Sequence, residues 1–446
     1  MEIKRDLYLN KLINRKHNGL IKVITGIRRC GKSYLLFNLF NSHLLSSGVP
    51  ENHIIKIAFD MRKTAELRDP DKLCEYVESK MTDSGMYYIL LDEVQMLREF
   101  ESVLNEFLHY DNADIYVTGS NSKFLSSDIM TEFRGRGDEI HVFPLSFAEF
   151  YSVYDGSPSK AWEEYFTYGG LPLLTSMKTD EQKSEYLIRL FNEVYLKDIS
   201  ERITIRHPSE LSELINVLAS ATGSLTNPTK LANTFKSAKN VKITPLTLSR
   251  YMEHLEQAFL INKAMRYDIK GRKYINTPCK YYFEDVGLRN ARLNFRQLEE
   301  NHIMENIIYN ELRIRGFNVD VGVVEVRGRA DSHFTRKQFE VDFVANLGSK
   351  RYYIQSAFSM HAEEKVEQEI QSLKRIDDSF KKIIIVKDDI ETILDDECEE
   401  YQISKDDIRI SVKVGKKDNK IFTLSELVDK IPDIESNILG EIGWNL

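Results

Sequence analysis

Gly26-Ile27-Arg28-Arg29-Cys30-Gly31-Lys32-Ser33 has the G-x-x-x-x-G-K-[ST] spacing of a phosphate-binding loop. A strand-like apolar run, Leu20 to Ile24, precedes it, and a helix-like run, Tyr34 to Leu45, follows. That setting gives the short motif its meaning. Gly26 and Gly31 let the backbone fold around a polyphosphate, so that successive N–H groups and the helix N-terminus point at it. The expected nucleotide-binding residues are therefore Gly26, Ile27, Arg28, Arg29, Cys30, Gly31, Lys32, Ser33 and Tyr34. Lys32 supplies a mobile charge for the β- and γ-phosphates, and Ser33 a hydroxyl ligand for Mg²⁺. The implied ligands are ATP and Mg²⁺.

A second segment has the matching chemistry. Tyr87-Tyr88-Ile89-Leu90-Leu91-Asp92-Glu93 is an apolar run ending in two carboxylates. It reads as a buried parallel strand that carries its acids out at the C-terminal edge of a sheet, beside the loop. Asp92 is expected to hold Mg²⁺ together with Ser33. Glu93 is expected to orient and deprotonate the attacking water, a role that an ATPase needs and a kinase does not.

The bulk properties describe a globular chain. Its 446 residues suit two or three domains, and 42% hydrophobic with 29% charged residues is ordinary. There is no apolar run long enough for a membrane span and no apolar signal core near the N-terminus. Cys30, Cys74, Cys279 and Cys398 lie far apart, which fits a reducing cytoplasm and argues against a zinc cluster. A net charge of −8 gives no case for bulk nucleic-acid binding but leaves room for a local basic surface.

Along the first 155 residues, strands are expected at 20–24, 54–59, 87–91, 114–118 and 139–143, with helices at 32–46, 70–82 and 98–109 between them. This alternation predicts a parallel sheet covered on both faces. The fourth strand, Asp114 to Thr118, runs into Gly119-Ser120-Asn121-Ser122. Ser120 or Asn121 is expected to sense the γ-phosphate or the water; the alternative is a polar strand cap. Arg134 and Arg136 lie among glycines. In an oligomer either could reach a neighbour's γ-phosphate; otherwise they are solvated loop residues.

Beyond 155, helical stretches are broken by Tyr168-Gly169-Gly170-Leu171-Pro172. Helices then follow from Pro208, from Thr229 and over 247–260. A hairpin comes next, with its turn at Lys270-Gly271-Arg272-Lys273. Three helices and a basic hairpin make a winged helix-turn-helix. Its candidate contacts to double-stranded DNA are Arg250 in the groove and Lys270, Arg272 and Lys273 on phosphates. Glu253 and Glu256 on the same helix weigh against groove insertion, and such a module can equally pack against protein. A helix over 294–315, strands at 317–326, 338–346, 351–357 and 382–387, and a helical tail beyond 420 complete the reading.

The chain resembles the prokaryotic AAA-type ATPases of the AAA_14 family that carry a C-terminal DUF4143 domain. The residues that carry this are the loop with Thr25, Leu91-Asp92-Glu93-Val94-Gln95, Thr118 to Ser122, Gly135-Arg136, and Pro144-Leu145-Ser146-Phe147 with Glu149-Phe150. Gly169-Gly170-Leu171-Pro172 and Glu340-Val341-Asp342-Phe343-Val344 complete the set. The resemblance implies an α/β multidomain fold: a P-loop NTPase core over 1–155, a helical connector over 156–205, a winged helix over 206–285 and a restriction-endonuclease-like domain over 286–446.

Nucleases of that last fold place an acid on one strand and an E-x-K pair on the next. Here Glu340-Val341-Asp342 supplies the acid, but where relatives read I-E-V-K this chain has Ile354-Gln355-Ser356-Ala357. The domain is therefore expected to be a non-catalytic scaffold or binding module. Glu305, Glu325 and Lys337 are the residues that could fill the missing positions. The leading functional expectation is an ATPase that switches contacts with DNA or a protein partner, away from membranes, with a homo-oligomer as the further expectation. The alternatives are a nucleotide-gated nuclease and a binding protein that holds ATP without turnover.

Overall fold

The computed structural model describes residues 3–119, 135–196, 208–239, 241–330, 333–357, 371–386, 409–414 and 418–423. Five strands form a wholly parallel first sheet: β1 Ile21–Thr25, β2 Ile54–Ala58, β3 Tyr87–Asp92, β4 Ala113–Thr118 and β5 Gly137–His141. Their order is β2-β3-β4-β1-β5, so β4 separates the loop-bearing β1 from the acid-bearing β3. β1 and β3 are buried along their whole length. Such continuous apolar runs need helices on both faces. On one face Tyr8, Leu35 and Phe40 pack over Ile24, Leu90 and Tyr116. On the other, Leu73, Val77, Leu104 and Phe107 cover Val23, Ile89 and Val117. Each fully buried side chain of this size contributes about 1.5–3 kcal/mol.

The helix after the phosphate loop runs through Lys32–Tyr34, a π-helical stretch Leu35–Phe40, and Asn41–Ser46. Helices Phe147–Tyr151 and Pro158–Tyr168 follow β5. The first of these is set by a capping box, with Ser146 accepting from the Glu149 N–H and Glu149 accepting from the Ser146 N–H. Gly169 and Gly170 end the second; a Cβ on Gly170 would strike the Leu145 carbonyl, and one on Gly169 the Asp285 carboxylate.

Helices Pro208–Ser220, Pro228–Lys239 and Pro245–Gln257 precede an antiparallel hairpin, β6 Ile261–Asp268 and β7 Lys273–Phe283. Thr226, between the first two helices, bridges to Cys279 on β7. The hairpin then joins a larger sheet. β6 pairs in parallel with β8 Asn318–Ala330, followed by β9 His333–Leu347, β10 Lys350–Ala357, β11 Lys381–Val386, β12 Arg409–Val414 and β13 Asp418–Thr423. The order of this second sheet is β13-β12-β11-β10-β9-β8-β6-β7.

Two expectations are corrected here. The helix expected from 294 begins at Glu300, after a separate helix Val286–Arg292. Asn294 and Phe295 take φ of 50° and 55°, left-handed backbone that no helix can continue through. The tail beyond 420 is not helical at its start, because Arg409–Val414 offers Asp418–Thr423 an antiparallel edge to pair with.

Candidate nucleotide site

The phosphate loop lies at the C-terminal end of β1. Gly26 has φ of 137°, and a Cβ there would run into the Val142 carbonyl oxygen, so the cradle accepts only glycine. Gly31 (φ 101°) and Arg29 (φ 67°) complete the left-handed turns of the loop. Ile27 and Cys30 are buried and anchor it, Arg28 is half-buried, and Arg29, Ser33 and Tyr34 are exposed. The Lys32 ammonium is buried across the loop's mouth, donating to the Gly26 and Ile27 carbonyls at 2.9 and 3.0 Å. Two of its three protons are so engaged, leaving one for a phosphate oxygen.

β3 and β4 bring the rest together. Ser33 Oγ donates to Asp92 Oδ1 at 2.9 Å, and the Thr118 hydroxyl donates to the same oxygen. Burial pushes the Asp92 carboxyl above the usual range, the Thr118 and Ser33 hydroxyls pull it back, and the charges of Glu93 and Asp60 raise it further. Glu93 follows in a left-handed conformation, φ 55°, and its N–H donates to Thr118 Oγ1 at 3.1 Å. The Gln95 amide donates to the Glu93 carboxylate. Strained backbone held by its surroundings in this way fixes where an acid points. The Ser33–Asp92 pair and the glycine cradle fit a divalent cation bound with a polyphosphate.

Gln95, Thr118 and Arg5 are contributors whose roles the sequence reading missed. Arg5 is buried beneath the loop and donates to the Cys30 carbonyl at 3.1 Å and the Phe143 carbonyl at 2.7 Å, while pairing with Glu149 at 3.0 Å. Thr25, at the end of β1, donates to Glu139 at 2.7 Å and lies 3.1 Å from His141 Nδ1. His141 Nε2 is in turn 2.9 Å from the buried Glu284 at the end of β7. Gln95, two residues after Glu93, and Thr118, at the end of the fourth strand, had a local signal in the sequence; Arg5 had none.

Arg136 stands apart from this cluster. Arg136 opens the N-terminal end of β5, where its carbonyl accepts from the Ile21 N–H and its guanidinium donates to Asn105 at 3.3 Å. The parallel pairing of β1 with β5 puts that end opposite the loop within one chain. Ser120, Asn121 and Arg134 lie outside the described residues. In the expected DNA set, Arg250 is exposed on its helix, as are Arg272 and Lys273 at the hairpin turn. Lys270 lies 3.9 Å from Asp377.

In the second sheet, Asp342 is not isolated. The Lys280 ammonium, from β7, sits 2.7 Å from Glu305, 2.8 Å from Glu340 and 3.3 Å from Asp342. Tyr282 donates to Glu305 at 2.6 Å. The Gln355 side-chain oxygen accepts the Asp342 N–H at 3.3 Å, and Asp342 accepts the Ser356 N–H at 2.9 Å. Lys337 lies over the Phe339 ring instead. Lys280, which the sequence reading missed, holds the place considered there for Lys337.

Fold and site together define a P-loop NTPase of the AAA type. The family model AAA_14, described as an AAA domain, matches residues 18–151. A second, DUF8612, a domain of unknown function, matches residues 159–299. The expected DUF4143 assignment is thereby corrected: the family matched after the ATPase domain, over residues 159–299, is DUF8612 and not DUF4143. An uncharacterized protein of Haemophilus influenzae is 33% identical over 389 residues, covering 86% of this chain and 93% of that protein. The chain belongs to the same family as that protein. Protein MJ1544 of Methanocaldococcus jannaschii is 29% identical over 385 residues, 84% of this chain and 81% of that one.

Among solved structures, Aeropyrum pernix ORC1 in complex with DNA is 13% identical with a TM-score of 0.27, covering 66% of this chain and 92% of that chain. PCH-2 of C. elegans is 18% identical with a TM-score of 0.25, covering 56% and 65%. Among the described residues, no helix is long and apolar enough to cross a membrane.

Proposed function

We propose that the chain is a Mg²⁺-dependent ATPase, converting ATP and water to ADP and phosphate, and that turnover switches its contact with DNA or a protein partner. The observation that carries this is the continuous row Ser33–Asp92–Thr118–Glu93, which sets a cation-binding pair and a second acid side by side beyond the phosphate loop. Mg²⁺ held by Ser33 and Asp92 would neutralise charge on the β- and γ-phosphates. Lys32 then gives its ammonium to the phosphates, and Gly26 and Gly31 admit them against the backbone. Glu93, oriented by Gln95, takes the proton of the attacking water. Ser120 or Asn121 senses the γ-phosphate.

The link from Thr25 through His141 to Glu284 offers a route by which loop geometry is felt beside the second sheet, and Arg5 ties the loop to Phe143 and Glu149 after β5. The order of three helices and a hairpin, with the bridge from Thr226 to Cys279, supports the winged-helix reading of 206–285. For 286–446, the engagement of Asp342 and Gln355 with Lys280 and backbone supports a non-catalytic role on an endonuclease-like frame.

Steady-state hydrolysis and nucleotide affinity test the ATPase reading. Lys32→Ala should lose tight ATP binding. Glu93→Gln should bind normally but turn over at least a hundredfold more slowly, for a loss of about 3 kcal/mol of transition-state stabilisation. Wild-type turnover in Glu93→Gln would remove the base assignment. Absence of turnover in the unmodified protein would favour ATP as a structural ligand.

A further inference from the structure

Residues 214–252 contain no aspartate or glutamate, yet carry Lys230, Lys236, Lys239, Lys242 and Arg250, in a chain with 69 acidic against 61 basic residues overall. The structure folds this acid-free stretch into most of the three-helix unit. On helix Pro228–Lys239, Leu231 and Phe235 are buried, while Thr229, Lys230, Asn233, Thr234, Lys236 and Ser237 are exposed. Lys242 is exposed in the connection to the next helix, and Arg250 is exposed on that helix, whose Leu248, Tyr251, Met252 and Leu255 are buried. Lys236, Lys242 and Arg250 have no carboxylate within ion-pair distance among the described residues. Among the described residues, no ion pair neutralises this charge.

We propose that this face, rather than the hairpin turn, is the docking surface for double-stranded DNA. The inference rests on the reading of a partner switched by nucleotide and names that partner. Its chemistry is that of a polyanion: cations at Lys236, Lys242 and Arg250 meet backbone phosphates, and the uncharged Asn233 and Ser237, exposed on the same helix as Lys236, add hydrogen bonds without repulsion. Leu246, 64% exposed at the start of helix Pro245–Gln257, is an apolar tip suited to a thymine methyl in the major groove. Glu253 lies nearly one turn beyond Arg250. It limits groove contact to the N-terminal turns of the helix, the part that a helix-turn-helix inserts. The hairpin turn is less suited, because Lys270 already faces Asp377.

The test uses the full-length protein and a 30-base-pair duplex, with binding read by fluorescence anisotropy across a salt series, without nucleotide and with ATP and Mg²⁺. The triple variant Lys236→Gln/Lys242→Gln/Arg250→Gln should bind at least tenfold more weakly. Its log Kd against log salt should be shallower by about 2 to 3, near 0.9 per lost phosphate contact. Lys270→Gln/Arg272→Gln/Lys273→Gln should lose less than twofold. All substituted side chains are on the surface, and thermal melting of both variants checks their folding. A loss in the hairpin variant equal to or greater than that in the face variant, or a face variant that binds as the unmodified protein does, overturns the proposal. So does wild-type protein that hydrolyses ATP but binds no duplex in either condition, an outcome that leaves the ATPase reading intact and points to a protein partner. DNA binding lost in the face variant, in a protein without ATP turnover, keeps this surface and removes the ATPase reading.

Discussion

Lys280 decides what the second sheet can do. Its ammonium lies among Glu305, Glu340 and Asp342, and these charges hold the lysine protonated despite its burial. Burial pushes the Glu305 carboxyl up to about 7, against the pull of Lys280. The carboxylates that a nuclease would offer to a metal are thus satisfied by a side chain. Gln355 turns its oxygen to the Asp342 N–H, and Ala357 brings no proton-handling group. With the carboxylates tied to Lys280, and that lysine held in an ion cluster rather than poised against a water, the loss is well over ~4 kcal/mol of transition-state stabilisation, more than about a thousandfold. A supercoiled-plasmid assay with Mg²⁺ or Mn²⁺ should therefore show no nicking by the purified protein. Nicking that disappears in Asp342→Ala but persists in Glu93→Gln would restore the nuclease alternative.

At the scale of elements, the turn Tyr168 to Pro172 is clasped by Asp285. The carboxylate accepts the Gly170 N–H at 2.8 Å and caps helix Val286–Arg292 by accepting the Leu288 N–H at 2.9 Å. Burial pushes this carboxyl up to about 6 from its ordinary 3.8, although these backbone donors pull it down. The folded chain therefore binds this proton more tightly than the unfolded chain. The contribution to stability is full below about pH 3.8 and is lost as pH rises through 6. Asp285→Asn removes that slope. The stability of the asparagine variant relative to the unmodified protein should rise by about 2 kcal/mol between pH 4.5 and 7, read from denaturant unfolding at each pH. A pH-independent difference would show that the carboxyl does not titrate in that window.

The same elements show what was legible in the sequence. The loop, the acid-bearing strand and the first sheet were readable because their signals are local: glycine spacing, apolar runs, acids at a strand end. Arg5 with Phe143 and His141 with Glu284 were not, since the partners lie 138 and 143 residues apart and leave no periodicity in either segment. The break before Glu300 was hidden for another reason. Nothing in the residue types Asn294 and Phe295 required the left-handed backbone that their packing imposes.

For the whole molecule, the open question of assembly turns on Arg134 and Arg136. Arg136 stands at the end of β5 remote from its own loop, so a catalytic role for it requires a neighbouring copy. If either arginine acts in trans, its alanine variant should bind ATP nearly normally and hydrolyse it slowly. Mixing that variant with Lys32→Ala protein should then restore part of the activity, because each supplies what the other lacks. Specific activity that is independent of both protein concentration and mixing would assign the site to a single chain.

The hairpin β6–β7 has two owners. Through the link between Thr226 and Cys279 it belongs to the three helices, and through the pairing of β6 with β8 it belongs to the second sheet. A fragment ending after β7 would carry a bare strand edge along β6, and one beginning after it would bare β8, each a template for aggregation. The two regions are therefore poor candidates for separate expression or for exchange between chains as cassettes. They should be inherited together, so that recombination within this family is tolerated ahead of the three helices far better than between the hairpin and β8.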